Sequence, residues 1–461
     1  MGSRAEWVPP TLPPGGALYR AIADAIAMDI ASGALTPGMR LPPHRKLADA
    51  LGVDLTTVTR AYADARARGL VEAVVGRGTY VADAVNPQRT KVELDLSMNL
   101  PPQPASANLA LRLGRAMAGL TRRPDLSSLL NYQPSGGGDG DRRAGAKWLS
   151  ARIPDLDADR VLVTGGAQAC LSAMLTMLGG WGTDVMTDPF TYTGFRMATQ
   201  LRGLYVTPVQ TDSMGIVPEA LSAVARSAES KIVYLIPTIH NPTCTTMPLE
   251  RRQAIVKVAR ELNLTLIEDD AYGMLADPGP PPLAALAPER VWHISSLSKC
   301  LTPGLRVAYL VAPLGADIPA VRAHLRATAQ MAPPLSVAVA TGWIEDGTAH
   351  EILTAIRQEA EERQAIARRE LPIGSMVAHA QGHHAWVTLP PYWTDRAFAE
   401  AARRMGAAVI PGAAFAMAPE PPPKYVRVGL GAAPDQQTLT VALRRLAALM
   451  RNGPVAEEEV V

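Results

Sequence analysis

The stretch Ser295-Ser296-Leu297-Ser298-Lys299-Cys300-Leu301-Thr302-Pro303-Gly304-Leu305-Arg306 follows an apolar run, Arg290-Val291-Trp292-His293-Ile294, with the composition of a strand. It sets one lysine among small hydroxyl residues, with an arginine seven positions on. A lysine amine does covalent chemistry with carbonyl compounds once its surroundings lower its pKa. A guanidinium with hydroxyls on the same loop suits a phosphate. Pyridoxal 5'-phosphate (PLP) is a carbonyl compound of that kind, and it also requires an acidic partner for its ring nitrogen.

Upstream, the chain offers such partners in order. Thr164-Gly165-Gly166-Ala167-Gln168 follows the apolar run 161–163 and opens a helix, where backbone N–H groups bind phosphate well. Asp188-Pro189-Phe190-Thr191-Tyr192 places an aromatic ring just past another strand, able to stack on a flat ring. His240-Asn241-Pro242-Thr243 brings an amide that can donate to a phenolic oxygen. Glu268-Asp269-Asp270-Ala271-Tyr272 follows the run 264–267, and a buried carboxylate there needs a cation, for which a protonated pyridine nitrogen serves. Singly, each motif reads as well as a glycine turn, a half-buried tyrosine, an Asn-Pro turn or a helix cap. Together, each stands at the end of an expected strand, where open α/β sheets bind ligands.

This order resembles the fold-type I, class I and II aminotransferase domain over about residues 95–453. The resemblance implies a mostly parallel sheet with a C-terminal α+β subdomain, Lys299 as the catalytic lysine forming an internal aldimine, and Asp269 on the ring nitrogen. It further implies Asn241 and Tyr272 on the ring oxygen and Tyr192 stacked on the ring. Gly166, Ala167, Gln168, Ser296, Ser298 and Arg306 are implied around the phosphate. Tyr132, in Asn131-Tyr132-Gln133-Pro134, resembles the tyrosine that reaches a neighbouring subunit's phosphate, and Arg427 the arginine that clamps a substrate α-carboxylate. Three departures stand out: Ala167 where relatives carry a hydroxyl, Cys244 for the glycine after Asn-Pro-Thr, and a loose Gly136-Gly137-Gly138-Asp139-Gly140.

The first part of the chain is of another kind. Leu18, Ile22, Ile26 and Ile30 recur every four residues, as on an amphipathic helix. A short helix is expected over 44–51, a turn at Gly52-Val53-Asp54, a third helix over 56–68, and a two-stranded wing over 70–75 and 79–81. Leu41-Pro42-Pro43-His44-Arg45-Lys46-Leu47-Ala48, Thr56-Thr57-Val58-Thr59-Arg60-Ala61-Tyr62 and Gly76-Arg77-Gly78-Thr79-Tyr80-Val81 resemble the GntR-family winged helix-turn-helix. The resemblance implies duplex DNA as a partner, with Arg45, Thr56, Thr57, Thr59, Arg60 and Arg77 as contacts. Guanidinium groups read guanine edges or hold phosphates, and threonines meet backbone and thymine. Leu55 departs from a position where many relatives are basic or polar. Over 17–81, eight basic residues against six acidic leave +2, a weak footprint for one copy on a polyanion.

Composition limits the rest. A chain of 461 residues exceeds one ordinary core, and 48% hydrophobic with 19% charged residues describes a globular protein. Cys170, Cys244 and Cys300 show no disulfide or metal spacing. His383-His384 on a strand point to opposite faces and cannot chelate together; they are expected in an effector pocket or at the surface. No apolar run is of membrane length and no signal peptide is read, so a cytoplasmic protein is expected. The expected layout is a winged helix over 15–83, a linker over 84–94, the aminotransferase-like domain over 95–453 and a tail over 454–461. The two halves together resemble the MocR-type subfamily of GntR regulators. That implies a homodimeric transcription regulator sensing PLP or an amino compound through an external aldimine. The competing reading is an active aminotransferase with an accessory DNA-binding domain.

Overall fold

A computed structural model describes residues 7–9, 18–32, 34–36, 38–68, 70–74, 78–81, 94–417 and 424–453. Arg77, the linker up to residue 93 and the tail from residue 454 lie outside them. The chain divides into two compact units between Val92 and Glu93, and each is described by itself.

The first unit packs α1 (Leu18–Ser32), α2 (His44–Leu51) and α3 (Leu55–Ala67) with an antiparallel hairpin of β1 (Val71–Val74) and β2 (Gly78–Val81). It is a winged helix-turn-helix. Ile22, Ile26, Leu47, Val58, Tyr62 and Val81 close its core. The four-residue stripe on α1 is buried in its middle, while Leu18 is exposed and Ile30 half-buried. Steps of four on a helix of 3.6 residues per turn drift by about 40° each, so the ends rotate away from the core. The helix expected from Thr56 begins at Leu55, because Asp54 caps it: its carboxylate accepts from the Thr56 N–H at 2.7 Å.

The second unit opens with β3 (Leu94–Asp95), which pairs with β15 (Ala407–Ala408). Its main sheet contains β4 (Val161–Thr164), β5 (Asp184–Thr187), β6 (Tyr205–Pro208), β9 (Ile232–Leu235), β10 (Thr265–Asp269), β11 (Val291–Ser296) and β12 (Ala308–Val311), in the order β4-β12-β11-β10-β9-β5-β6. A small hairpin, β7 (Thr211–Asp212) with β8 (Gly215–Ile216), lies outside it. β12 runs antiparallel to both neighbours, and the other pairings are parallel. Alternate residues feed separate cores: Val161, Val163, Val233 and Leu235 one side, Leu162, Ile232 and Tyr234 the other. Burial on both faces is why these strands read as unbroken apolar runs. Each fully buried aliphatic side chain contributes about 1.5–3 kcal/mol.

A second, smaller sheet joins β13 (Met376–Ala378), β14 (His384–Thr388), β17 (Tyr425–Gly429) and β16 (Ile410–Pro411) in that order. Ala385, Val387, Val426 and Val428 face a core built with the helices Asp395–Arg404 and Gln436–Asn452. Trp386, Tyr425 and Arg427 therefore take the opposite face, and Trp386 is Arg427's cross-strand partner.

Candidate functional site

The parallel strands end at one edge of the main sheet, and each expected motif follows a strand there. Because β12 is antiparallel, Arg306, just before it, comes to that same edge. Arg306 holds a left-handed backbone (φ +52°). A Cβ on Gly166 would stand 2.8 Å from the Arg306 guanidinium, so the glycine leaves the room the guanidinium fills. Ala167 is the first residue of the helix Ala167–Leu178, and Gln168 donates to the Gly194 carbonyl at 2.9 Å. Ser296 caps the next helix start, accepting from the Ser298 N–H at 3.1 Å.

Asp269 ends β10 almost fully buried. One carboxylate oxygen accepts from the Tyr234 hydroxyl at 2.7 Å; the other has no partner among the described residues. Burial pushes its pKa up to about 6, against the pull of the Tyr234 bond. Its neighbour Asp270 is equally buried but held below the usual range, because Arg152, His293 and Arg252 outweigh its burial. The chain thus neutralises Asp270 with its own cations and leaves Asp269 without an ion pair among the described residues.

Lys299 lies in the short helix Leu297–Cys300 and donates its amine to the Asn99 carbonyl. Burial, and then the Arg427 charge, lower its pKa to about 8. Arg427 is buried, donating to Asn241 Oδ1 at 2.8 Å and to the Ser97 carbonyl at 2.6 Å, with its guanidinium 4.9 Å from the Phe415 ring centre. Tyr272 is buried, and burial raises its pKa above the ordinary phenol value; half-buried Tyr192 is raised for the same reason. Lys299, Asp269, Asn241, Tyr272, Tyr192, Arg306 and Arg427 are thereby one neighbourhood. Tyr132 stands apart, 82% exposed.

His383 and His384 are both buried, so the surface alternative is corrected. His383 Nε2 is 2.8 Å from the Lys299 carbonyl and His384 Nε2 is 3.2 Å from the His240 carbonyl, and these partners hold them inside. Asn99 and Tyr234 were missed from the sequence, and His384 was expected only as lining an effector pocket or the surface, without its partners. A tyrosine inside the buried run Ile232-Val233-Tyr234-Leu235 was a usable signal, since its hydroxyl must find a partner.

In the first unit, Arg45, Thr56, Thr59 and Arg60 are exposed and Thr57 is half-buried. The Thr56 hydroxyl donates to Asp54 at 2.6 Å and the Thr59 hydroxyl to the Leu55 carbonyl at 2.9 Å. The Arg60 guanidinium lies 4.4 Å from the Tyr19 ring centre.

The family model for aminotransferase class I and II matches residues 92–446, and that for bacterial regulatory proteins of the gntR family matches residues 18–81. An uncharacterized HTH-type transcriptional regulator of Bacillus subtilis, YdeF, is 28% identical over 440 residues, 94% of each chain. The HTH-type transcriptional regulator TauR of Rhodobacter capsulatus is 31% identical, covering 70% of this chain and 73% of its own. Among solved structures, the α-aminoadipate aminotransferase LysN of Thermus thermophilus, complexed with N-(5'-phosphopyridoxyl)-L-leucine, superposes with a TM-score of 0.70. It is 26% identical and covers 78% of this chain and 92% of its own.

Proposed function

The chain belongs to the aminotransferase class I and II family, and on that footing we propose that it is a transcription regulator sensing an amino compound through PLP held in its large unit. The observation that carries this is the union in one chain of a gntR-type head and a buried site with lysine, aspartate and arginine all in place.

The residues present fit PLP. The unpartnered Asp269 oxygen suits a protonated ring nitrogen. Arg306 over Gly166, the hydroxyls of Ser296 and Ser298, and the helix start at Ala167 and Gln168 suit the phosphate. When bound, PLP supplies an aldehyde that reacts reversibly with amines and a ring that takes up charge. The chain's residues do the rest. Lys299 keeps an amine that is easily neutral. Asn241 and Tyr272 offer donors to the ring oxygen, and Tyr192 covers the ring. Arg427 offers a guanidinium to an α-carboxylate, which would replace Asn241 or the Ser97 carbonyl as its acceptor.

The head meets duplex DNA through Arg45, Thr56, Thr57, Thr59, Arg60 and Arg77, in the cytoplasm. Exposed Leu111, Leu113, Leu130 and Tyr132 support a homodimer through the large unit. Two linked heads gain effective concentration on a two-part operator, and a ligand moves them only if it favours one arrangement. Arg427 beside Lys299 also favours a second reading, an active aminotransferase with an accessory head.

One experiment tests both. The purified protein is titrated with amines and amino acids while its visible spectrum and its affinity for its own upstream DNA are followed. A ligand that changes both supports the regulator. Spectral change and keto-acid release with unaltered DNA affinity would favour the enzyme. A monomer at micromolar concentration would remove the dimer.

A further inference from the structure

Asn99 lies in the segment Ser97-Met98-Asn99-Leu100-Pro101, which is pressed onto the end of β17. The Gly429 N–H donates to the Leu96 carbonyl at 2.6 Å. A Cβ on Gly429 would stand 2.5 Å from the Met98 carbonyl oxygen, and one on Gly431 only 1.8 Å from that of Leu100. Backbone cannot turn aside as a rotamer can, so the segment lies this close only because both positions are glycine.

The side chain of Asn99 is buried and sits between two partners. Its Nδ2 is 2.8 Å from the Tyr272 hydroxyl and 3.1 Å from His384 Nδ1. Burial drives the His384 pKa well below its ordinary value, so the ring is neutral and carries one N–H. Its Nε2 faces the His240 carbonyl, which can only accept, so the hydrogen is on Nε2. Nδ1 is then a bare acceptor, and the atom of Asn99 facing it must be the NH2 group. One amide hydrogen goes to His384 and the other to the Tyr272 oxygen. That oxygen therefore accepts from Asn99 and keeps its own hydrogen for another acceptor. Asn99 Oδ1 is left buried without a partner among the described residues.

We infer that Asn99 is a positioning residue: its amide, oriented by His384, turns the Tyr272 hydroxyl hydrogen toward the ring oxygen of the bound cofactor. The inference rests on the PLP reading above and adds to it residues outside the ring-contact set.

The test compares the unmodified protein with Asn99→Ala, Tyr272→Phe and the double variant, all loaded with PLP. The pH midpoint of the visible band is read. Arg427 and Asp269, the charges acting on Tyr272, and its titratable neighbours Tyr192 and Cys244 are the same in all four. Asn99→Ala is expected to raise the midpoint by about 0.5–1 unit, the scale of one hydrogen bond, and to add nothing once Tyr272 is Phe. An unmoved midpoint, or an equal shift in the Tyr272→Phe background, overturns the inference. A second arm needs neither PLP nor a variant. Nitrogen NMR of the histidine-labelled apo-protein, with His384 assigned by through-space contacts between its ring and that of Tyr272, should show hydrogen on Nε2 and a hydrogen-bonded, bare Nδ1. Hydrogen on Nδ1 overturns the inference. Failure to take up PLP defeats the cofactor reading, while this arm separately decides how His384 orients the Asn99 amide on Tyr272.

Discussion

Arg45 and Arg60 of the first unit stand in solvent, whereas Asp269 and Arg427 of the second are buried and Lys299 beside them is half-buried. Water satisfies an exposed guanidinium, so the head's surface alone says little about its partner. A buried carboxylate without a cation is costly, and Asp269 has no ion pair among the described residues whereas its neighbour Asp270 has Arg152. That contrast makes the buried site the more informative of the two, while the head is known from its fold and from relatives. Experiments that remove one group at a time can break that contrast or sharpen it.

The largest effect is expected at Lys299. Lys299→Ala should abolish the pyridoxyl group that borohydride fixes to the protein, as read by mass spectrometry. A fixed adduct on another lysine would refute the assignment. Asp269→Ala follows: removing one partner of a buried charged pair costs about 3–5 kcal/mol, so PLP affinity should fall by more than about a hundredfold and the absorption band should move. Retained affinity would mean that the orphaned oxygen is no ligand signal.

In the head, Arg45→Ala and Arg60→Ala should each cost about 1–3 kcal/mol of DNA binding if they read bases. A loss confined to lower salt sensitivity would make them phosphate contacts. Unchanged footprints in both single variants and the double would remove this face from the interface. Smaller again is the pH effect on the apo-protein. The Lys299 amine reacts when neutral, and its pKa is lowered to about 8. PLP capture should therefore accelerate up to about tenfold per unit as pH rises, levelling above that value. A midpoint near the ordinary lysine value would show that burial does not act on this amine.

Legibility also differed between the two regions. The main-sheet strands other than β6 could be read because burial on both faces makes them largely apolar, and the motifs because each follows its strand; β6 lies at a sheet edge, exposed or half-buried along its length, and offers no such run. Asn99 could not, since its partners Tyr272 and His384 are 173 and 285 residues away and no local pattern encodes such pairings. Cys244 shows the intermediate case. Its departure from glycine was visible in sequence, but the left-handed backbone that explains the usual glycine, φ +63°, appears only in the fold.

The threonines of α3 carry the smallest expected effects and the sharpest test of how the head uses polar groups. Phosphate oxygens accept but do not donate, so a hydroxyl helps them only with a free hydrogen. The Thr59 hydroxyl already donates to Leu55, one turn back, and that of Thr56 to the capping carboxylate of Asp54. Either must give up an internal bond to reach DNA, and a net hydrogen bond is worth about 0.5–1.5 kcal/mol, so the exchange is nearly even. Thr56→Val and Thr59→Val should thus weaken operator binding by less than about fivefold, well short of the arginine variants. For Thr59, Val keeps the branched shape, so the measurement isolates the hydroxyl together with its 3.3 Å contact to His44 Nδ1. Thr56→Val also unfastens the cap, and its melting temperature must be read alongside. If Thr59→Val matched Arg45→Ala in cost, the helix would have to release its internal hydroxyl bonds on DNA, and the exposed face would be reorganised by its partner as much as the buried site is filled by its own.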